Sequence, residues 1–208
     1  MIADRPVVFV VDDDARVRAA LSSLLSSAGL DVAVFASANE FLNADKPDAT
    51  ACLVLDLELP DIHGFDLQRE LAEREAPPIV FISGHGDIPS SVRAMKAGAI
   101  EFLSKPFADD ELLRAIEMAF ALDRTERLKR SELMALKARY ERLTRREREV
   151  LAFVVGGCAN KQTAGELGTS EITIGVHRGQ IMRKMGARSL AELVRFADKL
   201  GITPRESI

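Results

Sequence analysis

Short apolar runs alternate with longer amphipathic segments over the first 124 residues of the chain. Each run is four or five residues long, and all but the last, which contains Glu101, are continuously apolar, as is typical of strands covered on both faces. The five runs are residues 7–11, 32–35, 52–55, 79–82 and 100–103. Between the runs, residues such as Val17, Leu21 and Leu24 recur at helical spacing, and Ser37 with Glu40 predicts the capped start of another helix. Because a strand–helix unit repeats five times, the pattern predicts an α/β fold: a five-stranded parallel, doubly wound sheet with helices on both faces.

The last 65 or so residues show helical spacing without strand-like runs, and they predict an all-α unit of four helices. Helix-capping residues precede three of the four helices. These residues are Thr144 with Glu147, Ser170, and Ser189 with Glu192. The second and third predicted helices, 159–167 and 171–185, are separated only by Gly168, Thr169 and Ser170. So short a turn is typical of a helix-turn-helix.

A charged segment joins the two halves and contains neither glycine nor proline from about residue 119 to 143. Its apolar residues follow a weak heptad seam, in which Glu126 and Lys129 take earlier positions. The apolar members of the seam are Leu133, Leu136, Tyr140 and Leu143. A coiled coil here would be short and weak. We therefore predict an N-terminal domain at 1–123, a helical linker at 124–142 and a C-terminal domain at 143–208.

The net charge of −4 conceals a division between the two halves. Residues 1–124 carry 22 acidic and 11 basic side chains, a balance of −11. Residues 125–208 carry 10 acidic and 17 basic side chains, a balance of +7. The basic half is the one suited to bind a polyanion such as nucleic acid.

Nothing in the sequence marks the chain for export or for insertion into a membrane. The apolar run 7–11 is too short to span a bilayer and is followed at once by three aspartates. Cys52 and Cys158 have no neighbouring metal-ligand or redox motif, so we interpret them as reduced packing residues. We expect a cytoplasmic protein without a membrane partner.

Acidic and basic side chains follow several of the predicted strands, at the edge where parallel sheets collect their chemistry. Asp12 and Asp13 follow the first strand, Asp56 the third, Ser83 the fourth and Lys105 the fifth. Clustered carboxylates repel one another unless a cation lies among them, and an all-oxygen site suits Mg²⁺. With Mg²⁺ and Lys105 contacting phosphoryl oxygens, one carboxylate can act as the nucleophile and form an acyl phosphate.

Two classes of phosphate-handling enzyme do not fit this acidic site. A haloacid-dehalogenase-type phosphatase would need a second aspartate where Glu58 stands, and no phosphate-binding loop of nucleotide hydrolases is present. Asp14 is expected only to cap the first helix. His63 and His85 are expected in loops beside the site, without a catalytic role.

Four motifs make residues 5–122 resemble the receiver domain of two-component response regulators, a flavodoxin-like fold. They are VVDDD at 10–14, LVLDLELPDIHG at 53–64, ISGHGD at 82–87 and AGAIEFLSKPF at 97–107. The resemblance implies that Asp56 accepts a phosphoryl group from a sensor histidine kinase. It also implies that the chain is a phosphoacceptor rather than an enzyme, with at most self-catalysed phosphorylation and dephosphorylation.

The resemblance assigns roles to further residues of this half. It implies a Mg²⁺ site made by Asp12, Asp13, Asp56 and the backbone carbonyl of Glu58. Lys105 contacts the phosphoryl group, Ser83 and Phe102 form the switch pair, and Lys105–Pro106 is a cis peptide. Glu58 is uncommon at its position, which leaves the phosphoryl lifetime open.

The sequences LTRREREVLAFVVGG at 143–157 and NKQTAGELGTSEITIGVHRGQIMRKMG at 160–186 resemble the LuxR-type helix-turn-helix. Together with the receiver motifs they match the FixJ-like subfamily. The resemblance implies that the third helix enters the major groove of DNA. The candidate DNA contacts are Lys161, Thr173, Val176, Arg178, Arg183 and Lys184. An alternative for this half is a four-helix module that binds protein.

Some residues near these candidates keep two interpretations. His177 either touches a phosphate or packs in the core. Arg145, Arg146 and Arg148 are better explained as a solvated helix face than as DNA contacts.

The third helix has a buried face centred on Ile174 and an opposite side that we call its outer face. The outer face consists of Ile172, Gly175, Val176, Gly179 and Arg183. Related proteins often carry lysine at the position of Gly175. Two hypotheses stay open: modest specificity based on Val176 against a thymine methyl, phosphate contacts and half-site spacing, or glycines that let the helix lie deep in the groove.

The resemblance also suggests how the halves are coupled. Phosphorylation of Asp56 would remodel the face around the fourth helix and fifth strand of the receiver. Two chains would then pair through that face and bind a two-fold promoter site. We expect mostly monomer before phosphorylation and homodimer after it. RNA polymerase is a further candidate partner.

Overall fold

The computed structural model describes residues 5–84 and 88–206. The chain divides into two compact units, Met1–Arg127 and Leu128–Ile208. Unit 1 contains one parallel sheet with the strand order β2-β1-β3-β4-β5. Its strands are β1 Val7–Val11, β2 Asp31–Phe35, β3 Ala51–Asp56, β4 Ile79–Ser83 and β5 Glu101–Ser104. The predicted doubly wound, five-stranded parallel sheet is confirmed.

Burial follows the position of each strand in the sheet. Every residue of β1, β3 and β4 is buried, as continuous apolar runs predict. The edge strands β2 and β5 are only partly covered, because each has a single neighbouring strand. The prediction that all five strands are covered on both faces was therefore wrong for the edge strands β2 and β5. For β2 the sequence did not distinguish edge from centre, since β2 is as apolar in its last four residues as β1 is, whereas Glu101 interrupts the apolar run of β5.

Helices of unit 1 pack on both faces of the sheet. They are α1 Ala15–Ser27, α2 Ala38–Asn43, α3 Gly64–Ala72, α4 Ile88–Lys96 and the beginning of α5 Asp109–Glu141. One apolar cluster joins Phe9, Leu53 and Phe81 of the strands to α2, α3 and α4. The other joins Val8, Val10 and their neighbours to α1 and α5. Alternate strand residues thus contribute to opposite cores, as the strand period of two requires.

Unit 2 is helical and has a core of its own. It contains the end of α5 and the helices α6 Arg145–Val155, α7 Asn160–Leu167, α8 Glu171–Met185 and α9 Leu190–Lys199. Leu136, Leu143 and the half-buried Tyr140 pack into this core with Val150 and Ile181. Three members of the predicted heptad seam are therefore accounted for by packing within the unit. Among the helices described in residues 5–84 and 88–206, none combines the length and apolar character that crossing a bilayer requires.

The predicted capping residues begin the helices as expected. The Ser37, Thr144, Ser170 and Ser189 side chains each accept a hydrogen bond from the backbone N–H three residues later. Thr144 and Glu147 form a complete capping box. These side chains satisfy backbone donors that would otherwise lack partners in the first turn, so they fix where each helix begins.

Candidate functional site

The carboxyl ends of β1 and β3 bring three carboxylates together in unit 1. Asp12 is fully buried, Asp56 is nearly so, and Asp13 is exposed. Carboxylate oxygens of the three lie within 4.8 Å of one another. The sequence predicted this grouping because adjacent parallel strands end at the same edge of the sheet.

Lys105 supplies the positive charge at this edge. It follows β5, and its Nζ lies 2.7 Å from Asp12 Oδ2 and 3.4 Å from Asp56 Oδ1. The peptide bond between Lys105 and Pro106 is cis, as predicted. The Lys105 ammonium thus pairs with two of the three carboxylates, and a bound cation would offset the negative charge that remains among them.

The surroundings of Asp56 shift the pKa of its carboxyl upward. Burial raises the pKa of this carboxyl above its usual value; the Lys105 charge opposes the rise and the nearby Asp12 carboxylate adds to it. Asp12 is itself held in place, because its Oδ1 accepts a hydrogen bond of 2.9 Å from the Asp14 N–H. A guanidinium nitrogen of Arg18 also donates to the Asp12 backbone carbonyl at 2.6 Å. Asp14 caps α1, as predicted.

The loop between β3 and α3 packs closely against the acidic residues. A side chain at Gly64 would lie 3.0 Å from the Asp56 carbonyl oxygen, so this approach requires glycine. Asp61 accepts hydrogen bonds from the backbone N–H groups of Ala38 and Asn39, at 3.3 and 2.8 Å, and so anchors the loop to the start of α2. Sequence reasoning missed Asp61, because its partners lie more than 20 positions away and no local motif points to them.

Two histidines were expected in loops beside the site. His63 immediately precedes α3, where its Nδ1 accepts a hydrogen bond of 3.3 Å from the Phe65 N–H. It therefore serves as a helix cap. His85 lies outside the described residues, as do Gly86 and Asp87 at the end of the ISGHGD motif.

The predicted switch residues lie on neighbouring strands. Ser83 is fully buried at the end of β4, and Phe102 is half-buried on β5. The Phe102 ring lies 6.2 Å from that of Phe81, which in turn makes an edge contact with Phe65 on α3 at 5.6 Å. The guanidinium of Arg93 on α4 stacks over Phe65, 4.4 Å from the ring centre. A row of aromatic rings thus connects β5 to α3 and α4.

In unit 2, α7 and α8 form a helix-turn-helix. Gly168 ends α7 in the left-handed conformation, with φ of 61°, and Ser170 then begins α8. A left-handed residue at this turn explains the glycine there. Ile174, Ile181 and Met185 of α8 are fully buried, as predicted. The opposite side of α8, its outer face, is exposed.

The predicted DNA-contact residues fall into two groups. Lys161, Thr173, Val176 and Arg183 are exposed. Arg178 instead donates hydrogen bonds to the Cys158 carbonyl and to Asn160 Oδ1, at 3.3 and 3.1 Å.

Lys184 falls in the same group as Arg178, because both side chains donate hydrogen bonds to other residues of unit 2. Its Nζ lies 2.6 and 2.9 Å from the two carboxylate oxygens of the buried Glu147. Burial alone would raise the pKa of Glu147, but hydrogen bonds from Lys184 and Thr144 outweigh burial and hold it below its usual value. The positive charge of Lys184 is thereby engaged in the structure of the unit.

The arginines at the start of α6 also contact residues of their own unit. Arg145 and Arg146 pair with Glu149, and Arg148 stacks over Tyr140. These contacts agree with the interpretation that the three arginines form a solvated helix face rather than a DNA-binding surface. His177 is half-buried.

Comparison with known proteins gives two family matches, one for each half of the chain. Residues 8–117 match the response regulator receiver domain, and residues 141–197 match the bacterial regulatory proteins of the luxR family. The chain belongs to the response regulators with a LuxR-type DNA-binding domain. The response regulator is therefore a DNA-binding transcription regulator of a two-component system, and the protein-binding alternative for its second half has no comparable support.

Similar proteins match this response regulator over almost its full length. Nodulation protein W of Bradyrhizobium diazoefficiens is 50% identical over 200 residues, covering 96% of this chain and 88% of the relative. Response regulator protein TodT of Pseudomonas putida F1 is 50% identical over 195 residues, covering 93% and 86%. The solved structure of response regulator StyR has 49% identity and a TM-score of 0.81, covering 94% of this chain and 99% of that one. Full-length FixJ from B. japonicum has 40% identity and a TM-score of 0.56, covering 94% and 97%.

Proposed function

We propose that Asp56 accepts a phosphoryl group from a sensor histidine kinase and that this modification switches on DNA binding. The observation that carries the proposal is the placement of the Asp56 carboxylate beside Lys105, at the end of a buried strand. A carboxylate oxygen of Asp56 attacks the phosphorus of the phosphohistidine, the phosphorus–nitrogen bond breaks, and the imidazole leaves. The Lys105 ammonium stabilises the negative charge on the transferred phosphoryl oxygens.

A divalent cation fits the acidic site, and Mg²⁺ is the ion proposed. The carboxylates of Asp12, Asp13 and Asp56 would hold it together with the backbone carbonyl of Glu58, because hard cations prefer oxygen ligands. When bound, the ion offsets the charge of the carboxylates and of the incoming phosphoryl group. Asp61 positions the loop that carries Glu58 by anchoring it to α2.

Phosphorylation is proposed to act through Ser83 and Phe102 on the face formed by α4 and β5. That face carries exposed apolar side chains at helical spacing: Ile88, Val92 and Met95, of which Ile88 is 79% exposed. Exposed apolar side chains grouped on one helix face are typical of protein contacts. Two phosphorylated chains are proposed to pair there as a homodimer. RNA polymerase is a further proposed partner.

The homodimer is proposed to bind a two-fold DNA site in the cytoplasm, where α8 of each chain enters the major groove. Lys161, Thr173 and Arg183 are exposed and are the proposed polar contacts. Arg178 and Lys184 are left out of this set, because their charged groups already hold α7 and Glu147.

The phosphoacceptor assignment is tested with acetyl phosphate and Mg²⁺, followed by mass spectrometry of the intact chain. We expect the wild type to gain one phosphoryl group and Asp56→Asn to gain none, since the amide preserves shape but removes the nucleophile. Asp66→Asn is the matched control: Asp66 lies on α3, where it pairs with Arg69 on the surface, and its variant should label like the wild type. If Asp56→Asn labelled as well as the wild type, the assignment would be wrong.

A further inference from the structure

The outer face of α8 exposes two large aliphatic side chains. Ile172 is 82% exposed and Val176 is 58% exposed, and they are neighbours one helical turn apart. The apolar side chains that α8 needs for folding lie on the other side of the helix, where Ile174 and Ile181 are fully buried. The core of unit 2 therefore does not explain Ile172 or Val176.

Apart from Arg183 at its far end, the rest of the outer face has no side chain that could form a hydrogen bond with a base. Gly175 and Gly179 have no side chains, and packing within the unit does not require either of them. A Cβ at Gly179 would meet nothing within 4 Å, and one at Gly175 would meet only the Asn160 side-chain nitrogen at an ordinary 3.7 Å. Arg183, at the far end of the face, donates a hydrogen bond to the Gln180 side chain.

A base pair presents mostly hydrogen-bonding groups in the major groove. Its one large apolar group there is the 5-methyl group of thymine. Aliphatic side chains gain affinity by covering that methyl group, whereas they leave the polar edges of guanine, cytosine and adenine without partners. A recognition surface whose side chains are isoleucine and valine, with glycine at the two neighbouring positions, is therefore matched to thymine.

We propose that Ile172 is a specificity-determining residue that acts together with Val176, each covering the 5-methyl group of a different thymine in the half-site. The proposal rests on the proposed function, in which α8 enters the major groove. It adds the chemistry of recognition: the preferred half-site contains two thymines whose methyl groups, rather than their hydrogen-bonding edges, are read.

The test removes only the methyl groups. Phosphorylated full-length protein selects a duplex from a random pool, and each thymine of that duplex is then replaced by deoxyuridine. Affinities are measured by fluorescence anisotropy at one fixed salt concentration, because phosphate contacts make affinity strongly dependent on salt. We expect two positions in each half-site where uracil lowers affinity about fourfold, the effect of losing one buried methyl group.

Alanine variants assign each position to a side chain. In Ile172→Ala, the difference between thymine and uracil should disappear at one of the two positions and persist at the other. Val176→Ala should give the reverse pattern. Met134→Ala is the matched control, because Met134 is an equally exposed apolar residue on α5 and its loss should leave both differences unchanged.

The outcomes separate this inference from the function on which it rests. If a duplex were selected and uracil were tolerated at every position, the inference would be overturned and the DNA-binding function would stand. Uracil effects that remained intact in Ile172→Ala would also overturn it, and would leave the exposed isoleucine as a contact for protein. A pool from which no duplex was enriched would contradict both.

Discussion

At the scale of single residues, local signals in the sequence located Glu147 and Lys184 but not the bond between them. Glu147 was recognised as a capping residue, and Lys184 as a cation near the end of the helix expected in the groove. Their side chains meet across 37 positions of the chain, and Glu147 is buried while Lys184 is mostly covered. Because no local pattern encodes such a pairing, a phosphate contact and a structural ion pair could not be distinguished for Lys184.

We predict that Lys184→Met destabilises unit 2 by about 2 to 3 kcal/mol at neutral pH, since it leaves a buried carboxylate without the charged hydrogen-bond donor that it has in the wild type. The pKa of Glu147 lies below its usual value in the folded protein. Its contribution to stability is therefore present above the pKa of the unfolded chain and is lost as the pH falls through the lower, folded pKa. The difference between wild type and variant in the free energy of urea unfolding should accordingly hold from pH 7 down to the ordinary glutamate pKa of 4.5 and shrink only below it.

Lys199→Met provides the control for this prediction. Lys199 forms an exposed ion pair with Glu132 at 3.2 Å, and such pairs contribute less than about 1 kcal/mol. An equal loss of stability in the two variants, or a loss in Lys184→Met that did not depend on pH, would show that the buried pair does not stabilise the unit as proposed.

At the scale of helices and strands, the sequence predicted most of the fold because its signals are local. Ser37, Thr144, Ser170 and Ser189 cap the helices that they were expected to begin. The acidic site could be predicted from the residues that follow each strand, because neighbouring parallel strands end at the same edge of the sheet. Contacts between distant segments, such as Asp61 with the start of α2, could not be predicted from any local signal.

The element-scale prediction concerns α8. A glycine in the interior of a helix costs roughly 1 kcal/mol relative to alanine, and Gly175 has room for a methyl group in the free protein. We expect Gly175→Ala to stabilise α8 and to strengthen binding to selected and random duplexes alike. Fluorescence anisotropy on both kinds of duplex checks this. A selective loss of more than about tenfold at the selected site would instead mean that the glycine lets the helix lie unusually deep in the groove.

At the scale of the whole molecule, the two separately packed units differ in net charge and in the site that each carries. The first half carries a balance of −11 and the acidic site, and the second carries +7 and the helix-turn-helix. Each unit has its own apolar core, although α5 belongs to both. Modification of one carboxylate can therefore control DNA binding only through a change in how chains associate or in which state of the molecule is populated.

Sedimentation velocity of a fluorescent duplex carrying the selected two-fold site tests this coupling most directly. With the full-length wild type and Mg²⁺, we predict that acetyl phosphate shifts the duplex from mostly free to a complex with two chains. The apparent affinity should rise about ten- to a hundredfold, the usual range of coupling between two sites. Asp56→Asn should leave the duplex mostly free under both conditions. Equal occupancy of the duplex with and without acetyl phosphate, or a tight dimer of the unmodified chain at micromolar concentration, would contradict phosphorylation at Asp56 as the switch.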